Sequence, residues 1–282
     1  MHVKTLGVIG AGQMGGGIAQ VAAASGISVI LQDISKEFVE RGLAAIAKNL
    51  RRSVEKGKMS SEEEKATLGR ITAVTDLTAM RSADFVVEAA SENEEIKFKI
   101  FSQLDEICPP HAILASNTSS IPIGRIASRT RRPDKVIGMH FMNPVPVMKL
   151  VEVIRGLPTS DETYRITVEL TEKMGKTPAQ ANDFPGFIAN RILLPMINEA
   201  IFCLYQGVGD RESIDTVMRL GMNHPMGPLA LADLIGLDTC LAILNTLHQG
   251  LGDPKYRPCP LLRQYVESGW LGRKTGRGFY QY

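Results

Sequence analysis

The most constraining stretch of the chain lies close to its start. Leu6-Gly7-Val8-Ile9 is a short apolar run with the composition of a buried strand. It leads straight into Gly10-Ala11-Gly12-Gln13-Met14-Gly15, and 14–25 then has helical periodicity. A strand, a G-x-G-x-x-G turn and a helix in immediate succession suit a bound dinucleotide. The first glycine permits the tight turn, the second lets a pyrophosphate approach the backbone, and the third lets the helix pack close to the strand. Unpaired amides at the helix start then face the phosphates. Three glycines alone are weak evidence; the context gives them weight, because the next strand, 28–32, runs into Asp33. A carboxylate there accepts hydrogen bonds from adenosine ribose hydroxyls and repels a 2′-phosphate, and the neighbouring Gln32 and Ile34 carry no charge to clamp one. NAD is therefore favoured over NADP, with Gly10, Ala11, Gly12, Gln13, Met14, Gly15 and Asp33 as cofactor-binding residues. The plainer reading of Asp33 is a turn residue.

The same rhythm continues. Strand-like runs at 6–9, 28–32, 85–88, 113–116, 136–141 and 150–154, with a weaker one near 71–73, alternate with helical patterns at 14–25, 94–107 and 161–174. This predicts an α/β, Rossmann-type, doubly wound and mostly parallel sheet. One insertion, about 35–68, reads as a helical hairpin projecting from the sheet. Phe38, Leu43, Ile46, Leu50 and Val54 form its apolar stripe, and Ser60-Ser61-Glu62-Glu63 looks like a fresh helix start. After Asn182-Asp183-Phe184-Pro185-Gly186 no clear strand remains. The expected division is an NAD-binding domain over 1–185 and an all-helical domain over 186–282, in which Ile192, Leu193, Met196, Ile197, Ala200, Ile201 and Leu204 make a wide apolar face.

Composition narrows the function class. A net charge of +2 gives no global case for nucleic acid, so any basic site is local. The four cysteines show no CxxC pair and no cluster with histidine, so neither a metal site nor a disulfide framework is expected. Reduced thiols fit a cytoplasmic setting. No apolar run reaches the ~18 residues of a membrane span.

Of the histidines, His140 alone sits near the end of a predicted buried strand, where ligands bind in open parallel sheets. Asn143-Pro144-Val145-Pro146 follows as a stiff turn, and then Leu150-Val151-Glu152-Val153-Ile154. A hairpin centred on Pro146 sets residue 140 opposite residue 152. Glu152 then fixes one ring nitrogen of His140 and leaves the other to take a proton, as NAD-linked alcohol oxidation requires. A purely structural strand histidine is the competing reading. Asn117-Thr118-Ser119-Ser120, closing the strand at 113–116, reads equally as a substrate-oxygen cradle or as a helix N-cap. Asn190, in an apolar run at the start of the helical domain, needs a partner, and substrate is one candidate.

Together these residues resemble the L-3-hydroxyacyl-CoA dehydrogenase family, bacterial 3-hydroxybutyryl-CoA dehydrogenases in particular. The resemblance spans essentially the whole chain: G-A-G-x-M-G at 10–15, the Ser91-Glu92 region, A-S-N-T-S-S at 115–120, H-F-M-N-P at 140–144, P-G-F-I-A-N-R at 185–191, G-P-L-x-L-A-D at 227–233 and G-R-K-T-G-R-G-F-Y at 272–280. It implies reversible NAD-dependent oxidation of (S)-3-hydroxybutyryl-CoA to acetoacetyl-CoA. It puts the catalytic pair on His140 and Glu152, with Ser119 and Asn190 contacting substrate. Cofactor contacts would include Asp33, Glu92, Lys97, Ser119, Asn143 and Lys274. It also implies a homodimer formed through the helical domain and a hairpin that meets CoA. The local charge agrees with that last point, since Lys48, Arg51, Arg52, Lys56 and Lys58 stand against Glu55 alone. Arg52 and Lys56 are the expected CoA contacts, although a charge run is also what any solvated helix face carries. Two alternatives stay open: a dehydrogenase of a free hydroxy acid on the same fold, and a non-enzymatic NAD-binding protein.

Overall fold

The computed structural model describes residues 3–282. The chain folds as two compact units, the first ending at Phe184 and the second running Pro185–Tyr282.

The first unit is built on an eight-stranded sheet: β1 (Thr5–Ile9), β2 (Ser28–Gln32), β3 (Ile71–Val74), β4 (Phe85–Glu88), β5 (Ile113–Ser116), β6 (Val136–Phe141), β7 (Leu150–Arg155) and β8 (Thr177–Asn182). The order is β3-β2-β1-β4-β5-β6-β7-β8. The pairs from β3 to β6 are parallel, β6–β7 is antiparallel, and β7–β8 is parallel. The first six strands thus have the doubly wound dinucleotide-binding order. Strands β4, β5 and β6 are buried along their whole length, which is why they read as continuous apolar runs instead of alternating ones.

Helices α1 (Gln13–Ala24), α2 (Lys36–Glu55), α3 (Ser61–Gly69), α4 (Glu94–Ile107), α5 (Ile123–Ala127) and α6 (Asp161–Lys173) cover the sheet. The hairpin α2–α3 starts as the sequence suggests: Ser35 caps α2, and Ser60 with Glu63 forms a reciprocal capping box on α3. It does not project freely, however. Its buried stripe is Val39, Gly42, Ile46 and Leu50, with Phe38, Leu43 and Val54 only half-buried. Ile46 and Leu50 belong to the core of the first unit, where each such side chain is worth roughly 1.5–3 kcal/mol over leaving it in water. Gly42 explains the shift in the stripe: a Cβ there would lie 2.6 Å from the Ala11 carbonyl oxygen, so the helix rests directly on the glycine-rich turn. The hairpin's positive charge is also partly offset, because Arg51 Nε pairs with Glu64 on α3 at 3.1 Å.

Strand β8 departs from expectation. Thr177-Pro178-Ala179-Gln180-Ala181-Asn182 has one β-branched residue and a proline, so composition argues against a strand. Its position resolves the conflict: β8 is an edge strand, where a residue without an N–H is tolerated.

The second unit is helical: α7 (Ala189–Tyr205), α8 (Arg211–Thr216) continued by a π turn at Val217–Gly221, α9 (Pro228–Ile235), α10 (Leu237–Leu251) and α11 (Pro260–Glu267). On α7 Ile197, Ala200 and Ile201 are buried, with Leu193, Met196 and Leu204 half-buried against the same core, as expected; Ile192 is exposed instead, and Leu194 fills the core. Among the described residues no single helix is long and apolar enough to cross a membrane. The pair α9 and α10 is apolar but bends by 98° between them, and Leu229, Leu237, Leu244 and Leu247 on these helices fill the core of the second unit.

The chain's last residues are clipped to this unit by Asp233, which is 1% exposed. Its carboxylate accepts hydrogen bonds from Phe279 N and Tyr280 N at 2.9 Å and from the Tyr282 hydroxyl at 3.1 Å. Asp233→Ala would strand these donors. At about 1–3 kcal/mol for a buried group left unsatisfied, the expected loss is about 2–4 kcal/mol. In a calorimetric melt this should lower Tm by roughly 5–15 °C; a Tm within a degree of wild type would show that the clip does not stabilise the unit.

Candidate active site

The glycine-rich turn has the geometry its residues suggest. Gly10 takes φ +96°, and a Cβ there would lie 2.7 Å from the Ala89 carbonyl oxygen. A Cβ on Gly15 would collide with the Gly10 carbonyl oxygen, whereas one on Gly12 would enter open space. The backbone at Gly12 is therefore accessible to a phosphate, and α1 begins there with no side chain capping its amides. These observations fit a dinucleotide cradle. Asp33, just past β2, holds the turn: its two oxygens accept from Ala11 N and Ile34 N, both at 2.7 Å.

Beside the turn is a cleft of about 490 Å³ within the first unit, lined among others by Gly12, Gln13, Arg41, Asn49, Asn143 and Pro146. Gln13 Nε2 donates to Asn143 Oδ1 at 3.0 Å, tying the start of α1 to the turn between β6 and β7.

That turn joins the antiparallel pair, whose register sets His140 opposite Glu152. Directly opposed residues on neighbouring strands have Cβ atoms roughly 4.5–5.5 Å apart. Here the side chains close the gap, with Nδ1 of His140 2.7 Å from Oε2 of Glu152. Both are buried, at 7% and 2% exposure. The other ring nitrogen, Nε2, lies 3.2 Å from the Ser119 hydroxyl. A carboxylate on Nδ1 favours the tautomer with its proton there and leaves the Nε2 lone pair toward Ser119.

Ser119 is held by a polar scaffold at the ends of β4, β5 and β6. Glu92 Oε1 accepts from the Thr118 hydroxyl at 2.6 Å, Ser119 N at 2.8 Å, the Ser120 hydroxyl at 2.9 Å and Ser120 N at 3.1 Å. Burial by itself would raise the Glu92 carboxyl, but Lys97 and these hydrogen bonds outweigh it and hold its pKa below the ordinary value. Asn117 Oδ1 accepts from Phe141 N at 2.9 Å, linking this segment to the strand that carries His140. The helix-cap reading of the Asn117–Ser120 segment gives way here. The first amides of α5, Ile123 N and Gly124 N, are capped by Asp183 at 2.9 and 2.7 Å.

The sequence gives no prominence to Glu88, yet it is a fully buried member of the scaffold. It is 0% exposed and Lys97 is 1% exposed. Lys97 Nζ donates to both Glu88 oxygens at 2.7 and 2.8 Å, and the Ser116 hydroxyl donates at 2.8 Å. Lys97 Nζ also lies 3.6 Å from Glu92. Its signal was present: a carboxylate ending an otherwise apolar strand, with a lysine nine residues on.

Residues 5–184 match the family profile described as 3-hydroxyacyl-CoA dehydrogenase, NAD binding domain, and residues 186–282 match that of the 3-hydroxyacyl-CoA dehydrogenase C-terminal domain. The chain belongs to the 3-hydroxyacyl-CoA dehydrogenase family. It is 62% identical to a Bacillus subtilis protein named "Probable 3-hydroxybutyryl-CoA dehydrogenase", over 100% of this chain and 98% of that one. It is 43% identical to the human mitochondrial hydroxyacyl-coenzyme A dehydrogenase, over 99% and 91% of the two chains. The crystal structure of (S)-3-hydroxybutyryl-CoA dehydrogenase from Ralstonia eutropha superposes with a TM-score of 0.98 at 50% identity, covering 100% of this chain and 99% of that one.

The remaining residues implied by the family resemblance have these surroundings. Arg52 and Lys56 are exposed at the end of α2, Lys56 as its C-cap. In the second unit, Asn190 is buried on α7, and Lys274 Nζ donates to both oxygens of Asp238 at 2.6 Å.

Glu88 and Lys97 give a test of the scaffold. Lys97→Met leaves a buried carboxylate without its cation, which typically costs about 3–5 kcal/mol. The double change Glu88→Gln, Lys97→Met should recover much of that loss in a denaturant melt. Equal stability of single and double variants would mean the pair is not coupled.

Proposed function

We propose that this chain catalyses reversible, NAD-dependent oxidation of (S)-3-hydroxybutyryl-CoA to acetoacetyl-CoA, with His140 as general base in oxidation and general acid in reduction. The observation carrying this reading is the buried His140–Glu152 pair, whose second ring nitrogen, Nε2, lies 3.2 Å from the Ser119 hydroxyl. With Nδ1–H donating to Glu152, Nε2 takes the proton of the substrate hydroxyl, and Glu152 stabilises the resulting imidazolium without exchanging that proton. In the reverse direction the imidazolium returns a proton to the ketone oxygen. Bound NAD supplies the hydride acceptor at nicotinamide C4. Ser119 orients the reacting oxygen beside Nε2, and Asn190 is a second substrate contact.

Cofactor binding falls to Gly10, Ala11, Gly12, Gln13, Met14, Gly15 and Asp33 at the turn, with Glu92, Ser119, Asn143 and Lys274 as further contacts; Lys97, buried against Glu88, acts through Glu92 and does not meet the cofactor itself. Asp33 disfavours a 2′-phosphate. The CoA end of the substrate falls to the hairpin, through Arg52 and Lys56. The full-length relatives named for acyl-CoA chemistry support this over a free hydroxy acid. Ile192, Val208, Val217, Leu220 and Met222 are exposed on the second unit, which supports a homodimer formed through it. All four cysteines are free thiols, in keeping with a reducing cytoplasmic setting.

The test is steady-state reduction of acetoacetyl-CoA with NADH and with NADPH, for wild type and His140→Gln. Wild type should favour NADH by roughly tenfold or more in kcat/KM, about 1.4 kcal/mol. His140→Gln should lose roughly 10²–10⁴ in kcat while binding NADH almost as before. Near-wild-type turnover in His140→Gln would remove the assignment, and an inactive wild type would remove the reaction.

A further inference from the structure

The turn between β6 and β7 has little to hold it. Asn143, Pro144, Pro146, Val147, Met148 and Lys149 are all exposed, and Val145 alone is buried. Yet this turn carries Asn143, forms one wall of the cleft beside α1, and begins three residues after His140. Its own hydrogen bonds close on Pro144, whose carbonyl accepts from Val147 N and Met148 N at 3.0 Å. That leaves the Val145 and Met148 carbonyls to be satisfied from elsewhere.

Lys176, the residue before β8, supplies the donor. Its Nζ donates to Val145 O at 2.5 Å and to Met148 O at 2.7 Å. It is 8% exposed, and burial holds its pKa below the ordinary lysine value, with no carboxylate among the described residues offsetting that effect. A buried ammonium bound to backbone carbonyls is costly in free energy, and an apolar side chain would fill the space without that cost. What it adds is geometric. A charge-assisted donor between two carbonyls fixes both peptide groups at once. Val145 is thereby held from two sides: its carbonyl by Lys176, and its side chain against α1, where a Cβ on Gly17 would lie 2.8 Å from Val145 Cβ. Next to it, β8 ties the end of the same loop, with Thr177 N donating to Lys149 O at 2.7 Å.

We propose that Lys176 is a positioning residue that locks this turn, and through it Asn143 and the cleft wall, in the binding-competent arrangement; its effect on turnover rests on the dehydrogenase reading above. Lys176 touches neither the imidazole nor the reacting atoms. Its loss therefore acts on binding more than on chemistry.

The experiment compares Lys176→Met with wild type by hydrogen exchange and by steady-state kinetics with acetoacetyl-CoA and NADH. Amides of Asn143, Val145, Val147, Met148 and Lys149 should exchange about tenfold faster or more, while those of β1, β4 and β5 stay as in wild type. KM for NADH and acetoacetyl-CoA should rise roughly three- to tenfold with kcat changed less than about twofold, the pattern of lost uniform binding. Faster exchange spread over the whole first unit, or a lower kcat at unchanged KM, would indicate general destabilisation and overturn the proposal, as would an unchanged turn. Lys176→Gln keeps a polar end and is the milder perturbation should the methionine variant not fold. It should show the same local pattern at smaller amplitude, and a folded Lys176→Gln with an unchanged turn overturns the proposal equally. If wild type fails to reduce acetoacetyl-CoA, the functional reading falls, while the exchange comparison still decides the role of Lys176.

Discussion

The contact between His140 and Glu152 is fixed by backbone pairing before either side chain is placed. Opposed residues across an antiparallel ladder share a face of the sheet, and slipping the register by one residue would send one of the two to the opposite face. The β6–β7 pair is the one antiparallel pairing among the named strands of the described residues, and it occurs where the catalytic pair is proposed. A parallel neighbour would require a long crossover between the two strands. The short turn at 142–149 instead returns the chain at once, bringing a buried carboxylate within 2.7 Å of a buried imidazole.

Around this pair the first unit concentrates charge where charge is expensive. Glu88 and Lys97 are both essentially inaccessible, and Glu92 gathers four hydrogen bonds from the Thr118–Ser120 segment. Such groups contribute little net stability, because desolvation offsets most of the attraction. What they do supply is a defined position for the Ser119 hydroxyl relative to Nε2 of His140. The same trade recurs at Lys176. The rigid parts of the fold thus set the backbone, and a few satisfied buried polar groups set the side chains and loops to within hydrogen-bonding tolerance.

Much of this was legible in the sequence because the residues act locally or in simple register. The glycine turn, Asp33, the hairpin caps and the opposition of His140 to Glu152 follow from spacing over short distances. The elements that were missed depend on tertiary position. Thr177–Asn182 is a strand because an edge tolerates Pro178, which composition cannot reveal. The α2 stripe is displaced because Gly42 is packed against Ala11, a contact between segments about thirty residues apart. The charge of Arg51 is paired with Glu64 only once α3 folds back on α2. Lys176 reads as an unremarkable lysine until the fold buries it against the β6–β7 turn.

The protonation state of His140 is the most direct check on the proposed chemistry. In 15N-labelled protein near neutral pH, the imidazole nitrogen shifts of His140, assigned by comparison with His140→Gln, report which nitrogen carries the proton in the neutral ring. A proton on Nδ1, held by Glu152, with an unprotonated Nε2 is the predicted result. A neutral ring protonated at Nε2 would contradict the account, because the nitrogen facing Ser119 would then have no lone pair with which to take the substrate proton.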